Sequence, residues 1–221
     1  LYNDPSVVSW CVHTLPPWAD ASAGDLYAIA ANSMADRSLS ALLRTIDSRR
    51  LIIEGSGAND EFLDFGWGTR SWTNYTRYST GFPVIVGPQS LPSPQSPFWS
   101  LFGETKIGPE LVRSLEGLGY ATSLWRRYLG EPQKYSSLAS YANQSQTYQA
   151  VALKTAVENA RLLKGNVTGG VIATMLKDCR PAVSGSVVDY YGELKASFYD
   201  VAEAFKPTHV IIEWAGDYRV N

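Results

Sequence analysis

Apolar residues fall along this chain in two alternating rhythms. Short runs rich in Val and Ile occupy Ser6–Val12, Leu51–Ile53, Pro83–Val86 and Gly170–Leu176, each bounded by Pro, Gly or a polar turn. Runs of that length and β-branched content predict buried strands. Between them apolar positions recur at helical spacing. Leu26, Ile29 and Ala30, then Leu39, Leu42, Leu43 and Ile46, predict one or two helices over 24–46. Leu111, Val112, Leu115, Leu118, Leu124, Trp125 and Tyr128 predict helix from Pro109 onward, broken at Gly117 and Gly119 and stopped at Gly130. A long helix is expected over 145–164, with Tyr148, Val151, Ala152, Thr155, Leu162 and Leu163 inward, Lys154 paired to Glu158 on the solvent face, and Gly165 as its stop. Lys195–Phe205 reads as a further helix closed by Pro207, and Thr208–Trp214 alternates as a last strand. Gly87–Trp99, GPQSLPSPQSPFW, carries too many prolines for regular structure. The Gly-rich aromatic stretch Phe62–Trp72 reads as a strand end and a loop.

Strands separated by helices point to parallel β/α units. There is no internal repeat and no block of like charge. Pro207 is the expected domain boundary, dividing residues 1–206 from 207–221.

Composition narrows the function classes. The 221 residues are 45% hydrophobic and 18% charged, enough to bury a sizeable core. The formal net charge of -2 argues against nucleic acid or an anionic membrane as partner. No apolar run is long enough to predict a membrane span. LYNDPSVVSW lacks the basic stretch of a signal peptide, and the chain reads as an excerpt. Cys11 and Cys179 are read as small core residues rather than a disulfide or metal pair. His13 and His209 do not make a zinc-binding pattern, and no metal or organic cofactor is implied. The 7 Trp and 13 Tyr serve either an ordinary core or sugar stacking, in which pyranose C–H faces pack on aromatic rings. Sequons at Asn74, Asn143 and Asn166 point toward an extracytoplasmic life.

Three segments carry a resemblance. NDPSVVSWCVHTLPPW (3–18) resembles (H)PS(I/V)xxWCxHNEPPW, and FPVIVGPQSLPS (82–93) resembles FxSEFGxQSLPS. The stretch from QSQTYQAV through GGVIATMLKDCRPAVSGSVVDYYGELKASFYDVAEAFKP (144–207) resembles a helix followed by GGxLxWQLNDCWPxxSWSxVDYYGxPKxAYY. In order and spacing these are the motifs of glycoside hydrolase family 2, which holds β-galactosidases, β-mannosidases and β-glucuronidases. The resemblance implies an α/β fold, part of a TIM-type (β/α)8 barrel. Strand four would be Ser6–Val12, strand five Leu51–Ile53, strand six about Phe62–Phe65, strand seven Pro83–Val86 and strand eight Gly170–Leu176. The tail would begin an immunoglobulin-like β-sandwich. A barrel without strands one to three exposes two sheet edges, so another fragment or subunit is expected to close it.

The same resemblance locates the chemistry. Retaining glycosidases need a nucleophile and an acid/base carboxyl about 5 Å apart. In the family both are Glu, at the ends of strands four and seven. Here those positions are Leu15 and Ile85, which neither donate a proton nor attack an anomeric carbon. Thr174 replaces the stacking Trp, Lys177 the Asn and Arg180 a second Trp, while Phe62 and Asp64 stand where strand six has His and Tyr. The frame persists at Pro5, Trp10, His13, Gly66, Trp67, Gly87, Gln89, Gly169, Gly170, Asp178, Pro181, Asp189, Tyr190, Gly192 and Lys195. The expectation is a pseudoenzyme that retains carbohydrate binding or acts as a scaffold, with a glycan as partner. The alternative is an active β-glycoside hydrolase using Glu54 and Asp64, which otherwise read as rim carboxylates. His13, Trp18, Trp67, Gln89 and Asp178 are the candidate ligand contacts. For His13 a structural imidazole, and for Trp18 and Trp67 loop packing, are the competing roles. Gln89 also reads as a tie for the loop after strand seven.

Overall fold

The computed structural model describes residues 7, 9–12, 26–54, 72, 81, 84–102 and 107–212, with backbone alone at 26–33 and 84–86. Two parallel strand pairs organise it. β1 (Ser9–Cys11) runs beside β2 (Leu51–Ile53), with Trp10 opposite Ile52. β3 (Val84–Val86) runs beside β4 (Ile172–Thr174), with Ile85 opposite Ala173. Parallel neighbours need a crossover. α1 (Leu26–Ile46) provides it for the first pair, as one continuous helix. α2 (Pro109–Glu116), α3 (Thr122–Leu129) and α4 (Leu138–Leu162) lie within the second, and α5 (Ala196–Ala204) comes after β4. The result is an α/β fold with small open sheets, an incomplete barrel-like arrangement. The region expected to form strand six lies outside the described residues.

The core has two parts. One joins α4 to α5 and the segment after β4 through Leu153, Ala156, Val157, Val187, Val188 and Ala204. The other is aromatic, gathering Leu91, Phe98, Trp99, Leu115, Trp125 and Tyr141 beneath α2, α3 and the first half of α4. The proline-rich segment has no regular structure except a 3-10 turn at Pro97–Leu101, as expected. It is nonetheless deeply buried: Leu91 is fully covered, with Ser90, Ser93 and Ser96 covered beside it.

That burial explains why α4 differs from its expected form. α4 starts seven residues earlier than the sequence pattern predicts, capped by the Ser137 hydroxyl, which accepts from Ser140 N at 3.1 Å. Its inward face is polar as well as apolar, with Ser145, Gln146 and Gln149 buried among Tyr141, Ala152 and Leu153. Val151 and Leu162, expected inside, are exposed. An irregular buried segment has no ladder to satisfy its N–H and C=O groups, so the facing helix must supply side chains that do. Apolar periodicity cannot register such a face.

Other expectations are corrected. Glu158 does not pair with Lys154; its carboxylate meets His209 Nε2 at 2.7 Å, because the chain leaving α5 folds back along α4. Cys11 and Cys179 are exposed and in no disulfide, since one ends β1 and the other lies in the loop after β4. Residues 208–212 carry no strand: among the described residues no β-ladder or bridge includes them, and Val210 and Ile212 are exposed. The remainder of the expected sandwich strand lies outside the described residues.

One close approach sets the spacing of sheet and helix. A Cβ at Gly87 would stand 2.6 Å from a Cδ of Leu153, itself 1% exposed. Gly87→Ala is therefore expected to force α4 away from the end of β3, at about 1–3 kcal/mol. Urea unfolding of the variant against wild type checks this, and an unchanged midpoint would show that Leu153 yields freely.

Candidate functional site

Parallel β/α folds carry their sites where the strands end, at the carboxyl edge of the sheet. The residues after β1, β2, β3 and β4 therefore define the candidate mouth. After β1, only Val12 is described; His13, Leu15 and Trp18 lie outside the described residues, as do Asp64 and Trp67. After β2 comes Glu54, half-buried. Ile85 is the central residue of β3, and Gly87–Leu91 lie just beyond it. After β4 come Met175–Arg180, with Lys177, Cys179 and Arg180 exposed.

β1 is fixed from below by a buried carboxylate. Asp47, 2% exposed, accepts from Trp10 Nε1 at 3.0 Å and from Arg49 N at 3.2 Å. Arg50 forms an ion pair with the same carboxylate and donates through Nε to Val7 O at 2.6 Å. The Arg50 contact, and after it the Trp10 hydrogen bond, holds the Asp47 carboxyl down at about 2.

The loops after β3 and β4 are tied together by a buried polar network. Gln149 of α4 donates to Pro88 O at 2.9 Å and Ser186 O at 3.2 Å, and accepts from Ser90 Oγ at 2.7 Å and Ser197 Oγ at 2.6 Å. Gln146 donates to Leu91 O at 3.0 Å and accepts from Ala196 N at 3.0 Å. Ser145 Oγ accepts from Leu91 N at 3.0 Å. Lys195, fully covered, donates to Ser90 O at 3.3 Å and Ser186 Oγ at 3.2 Å. Burial lowers its ammonium to about 8, against the pull of Asp178 and Asp189. Asp189 accepts from Glu193 N at 2.9 Å and from the Ser96 hydroxyl.

Gln89 and Asp178, expected among the ligand contacts, have their polar atoms engaged by the protein itself. Gln89 Oε1 accepts from Ala121 N at 3.1 Å and Trp125 Nε1 at 3.0 Å, while its Nε2 donates to Gly119 O at 2.6 Å. The side chain thus ties the loop after β3 to the α2–α3 connection. Asp178 accepts from Ser184 Oγ at 2.5 Å and Ser186 Oγ at 2.7 Å, one hydroxyl per oxygen. Both residues hold loops. The sequence pattern does not single out Ser145, Gln146 or Gln149, and only the QSLPS motif hints that Ser90 has a fixed role.

Beside β4 the sheet is open. A groove of about 330 Å³ runs along it, lined by Ile172, Thr174, Met175, Leu176, Val201 and Phe205. Ile172, Met175, Leu176 and Phe205 are exposed there, and the buried Thr174 Oγ1 has no hydrogen-bond partner. Among the described residues, no group of three side chains suits a metal ion, and no helix is long and apolar enough to cross a membrane.

The fold is similar to those of glycoside hydrolases. A β-D-mannosidase from Dictyoglomus thermophilum superimposes with a TM-score of 0.67 at 25% identity over 93% of this chain. An Amycolatopsis orientalis exo-chitosanase in complex with PNP-beta-D-glucosamine gives 0.58 at 14% identity over 95%. This chain spans only 27% and 26% of those two chains. No family profile and no curated protein matches it.

The buried charges lead to two expected outcomes. Lys195→Met leaves Ser90 O and Ser186 Oγ buried without this donor and removes the ammonium that Asp178 and Asp189 attract, and is expected to cost about 1–3 kcal/mol at neutral pH by urea unfolding. A loss below about 1 kcal/mol would show that the carboxylates are satisfied by hydroxyls alone. The Asp47 carboxyl is lower in the folded chain, about 2 against an ordinary 3.8, so the unfolded chain binds its proton first. Its stabilisation is full above pH 3.8 and disappears as pH falls through about 2. Asp47→Asn is expected to flatten that acid limb in a pH series of unfolding midpoints.

Proposed function

We propose that this protein binds carbohydrate on a glycoside-hydrolase scaffold and no longer hydrolyses it. The observation that carries this reading is the pair Leu15 and Ile85, which stand where the resembled family has its two catalytic Glu. The parallel pairs β1–β2 and β3–β4 support the scaffold part of this reading, because parallel pairing is what barrel strands four with five and seven with eight would require. The likeness to a β-D-mannosidase and an exo-chitosanase supports a β-glycoside as ligand. His13, Trp18 and Trp67 are the proposed contacts, with Gln89 and Asp178 holding the loops around them. In this reading the barrel portion is 1–206 and 207–221 would begin a second unit; Arg161 donates to the carbonyls of Ala204, Lys206 and Pro207 near that proposed boundary. The open edge of β4 and its apolar groove support a further β/α segment as the piece that closes the sheet.

One observation favours a second reading. Glu54 is half-buried and comes directly after β2, where a carboxylate could face the mouth. With Asp64 it would form a rebuilt acid pair, separated by about 5–5.5 Å for retention or roughly 6.5–9.5 Å for inversion.

The full chain, tested on nitrophenyl β-mannosides, β-glucosaminides, β-galactosides and β-glucuronides, is expected to release nitrophenol no faster than buffer. Calorimetry is expected to show binding of at least one of the parent glycosides with a Kd of about 1 mM or tighter. Turnover abolished by Glu54→Gln or Asp64→Asn would establish the second reading instead. Silence in both assays would leave neither standing.

A further inference from the structure

Of the three sequons, two fall within the described residues, one in a helix and one in a turn. Asn143 lies in the first half of α4, and Ser145, the hydroxyl residue of its sequon, is fully buried. Ser145 Oγ accepts from Leu91 N at 3.0 Å and donates to Ala142 O at 2.7 Å. Leu91 belongs to the loop after β3, while Asn143 itself lies on the exposed face of α4. Asn74 lies outside the described residues. Asn166, exposed like Asn143, lies outside any helix or strand, in the tight turn that joins α4 to β4. Asn166, Val167 and Thr168 all donate through their backbone N–H to Leu163 O, at 3.2, 3.1 and 3.1 Å. Gly165, at a φ of +81°, reverses the chain just before it. Because this turn precedes β4, it sits at the opposite end of the strand from the candidate mouth.

We propose that Asn166 is an N-glycan acceptor whose sugar projects from the base of the fold, leaving the mouth clear. The donor is a lipid-diphosphate-linked oligosaccharide of a secretory compartment. The Asn166 Nδ2 forms a bond to the anomeric carbon and loses a proton, the anomeric carbon–oxygen bond breaks, and the lipid diphosphate leaves. Thr168 is 2% exposed in the folded turn, so transfer occurs on the extended chain before the turn closes. The fold then decides only whether the product is tolerated. At Asn166 a bulky hydrophilic group meets solvent.

The test is to secrete the full chain from a eukaryotic host and map its glycopeptides before and after amidase release, which converts a glycosylated Asn to Asp. The expected result is an oligosaccharide on Asn166, lost in Asn166→Gln and retained in Asn143→Gln. Asn166→Gln made in a bacterial cytosol is expected to unfold at the wild-type temperature, showing that the lost glycan is not a folding defect. An unmodified Asn166 in the secreted protein, or a glycan on Asn143 with Asn166 bare, would overturn the proposal.

Discussion

The structure depends on the burial of an irregular segment. Residues 88–93 run through the interior with a single bridge, Ser90 to Ser184, and no continuous ladder, which the prolines from Pro88 to Pro97 deny them. Every carbonyl and amide there must find a partner or forfeit about 1–3 kcal/mol. α4 supplies Ser145, Gln146 and Gln149 for this purpose, and the far side supplies Lys195. That requirement sets the positions of the loops after β3 and β4, and with them the polar stripe on a helix that would otherwise be apolar inside. The packing of α4 on α5 is set by the same helix face, further along.

Much of this fold was legible in the sequence. The short Val and Ile runs became β1 to β4, and their punctuation by Pro and Gly placed the helices between them. The breaks at Gly117 and Gly119 and the stop at Gly130 all appear where expected. Whatever apolar periodicity does not encode was missed. The first two turns of α4 contain Ser140, Asn143 and Gln144, polar positions that give no apolar period from which to extend the helix back to Leu138. The Glu158 partner was misread because spacing along one helix says nothing of a chain returning from another. Cys11 and Cys179 were placed inside on residue type, whereas their places at a strand end and in a loop turn them outward.

The candidate site was legible as a frame and much less as chemistry. The motif residues Gln89, Asp178, Asp189 and Lys195 all serve as ties between loops, and the geometry gives each a partner. These roles concern only the protein's own backbone and hydroxyls. They hold whether Leu15 or a carboxylate sits at the mouth. A fold maintained in this way retains its motifs for reasons of stability, so motif resemblance reports architecture first.

The network also bears on the order in which the chain folds. Its bonds join residues far apart: Lys195 reaches Ser90 across 105 positions, Leu194 reaches Ser93 across 101, and Asp189 reaches Ser96 across 93. Closing such loops costs entropy before any bond is made. The strand-pair crossover and the α4–α5 packing must therefore be largely assembled before these groups can meet, which puts them on the late side of the folding barrier. Interactions formed after the barrier govern how fast the native state opens rather than how fast it forms. The buried serines, glutamines and lysine between the two loops are thus the chain's kinetic lock.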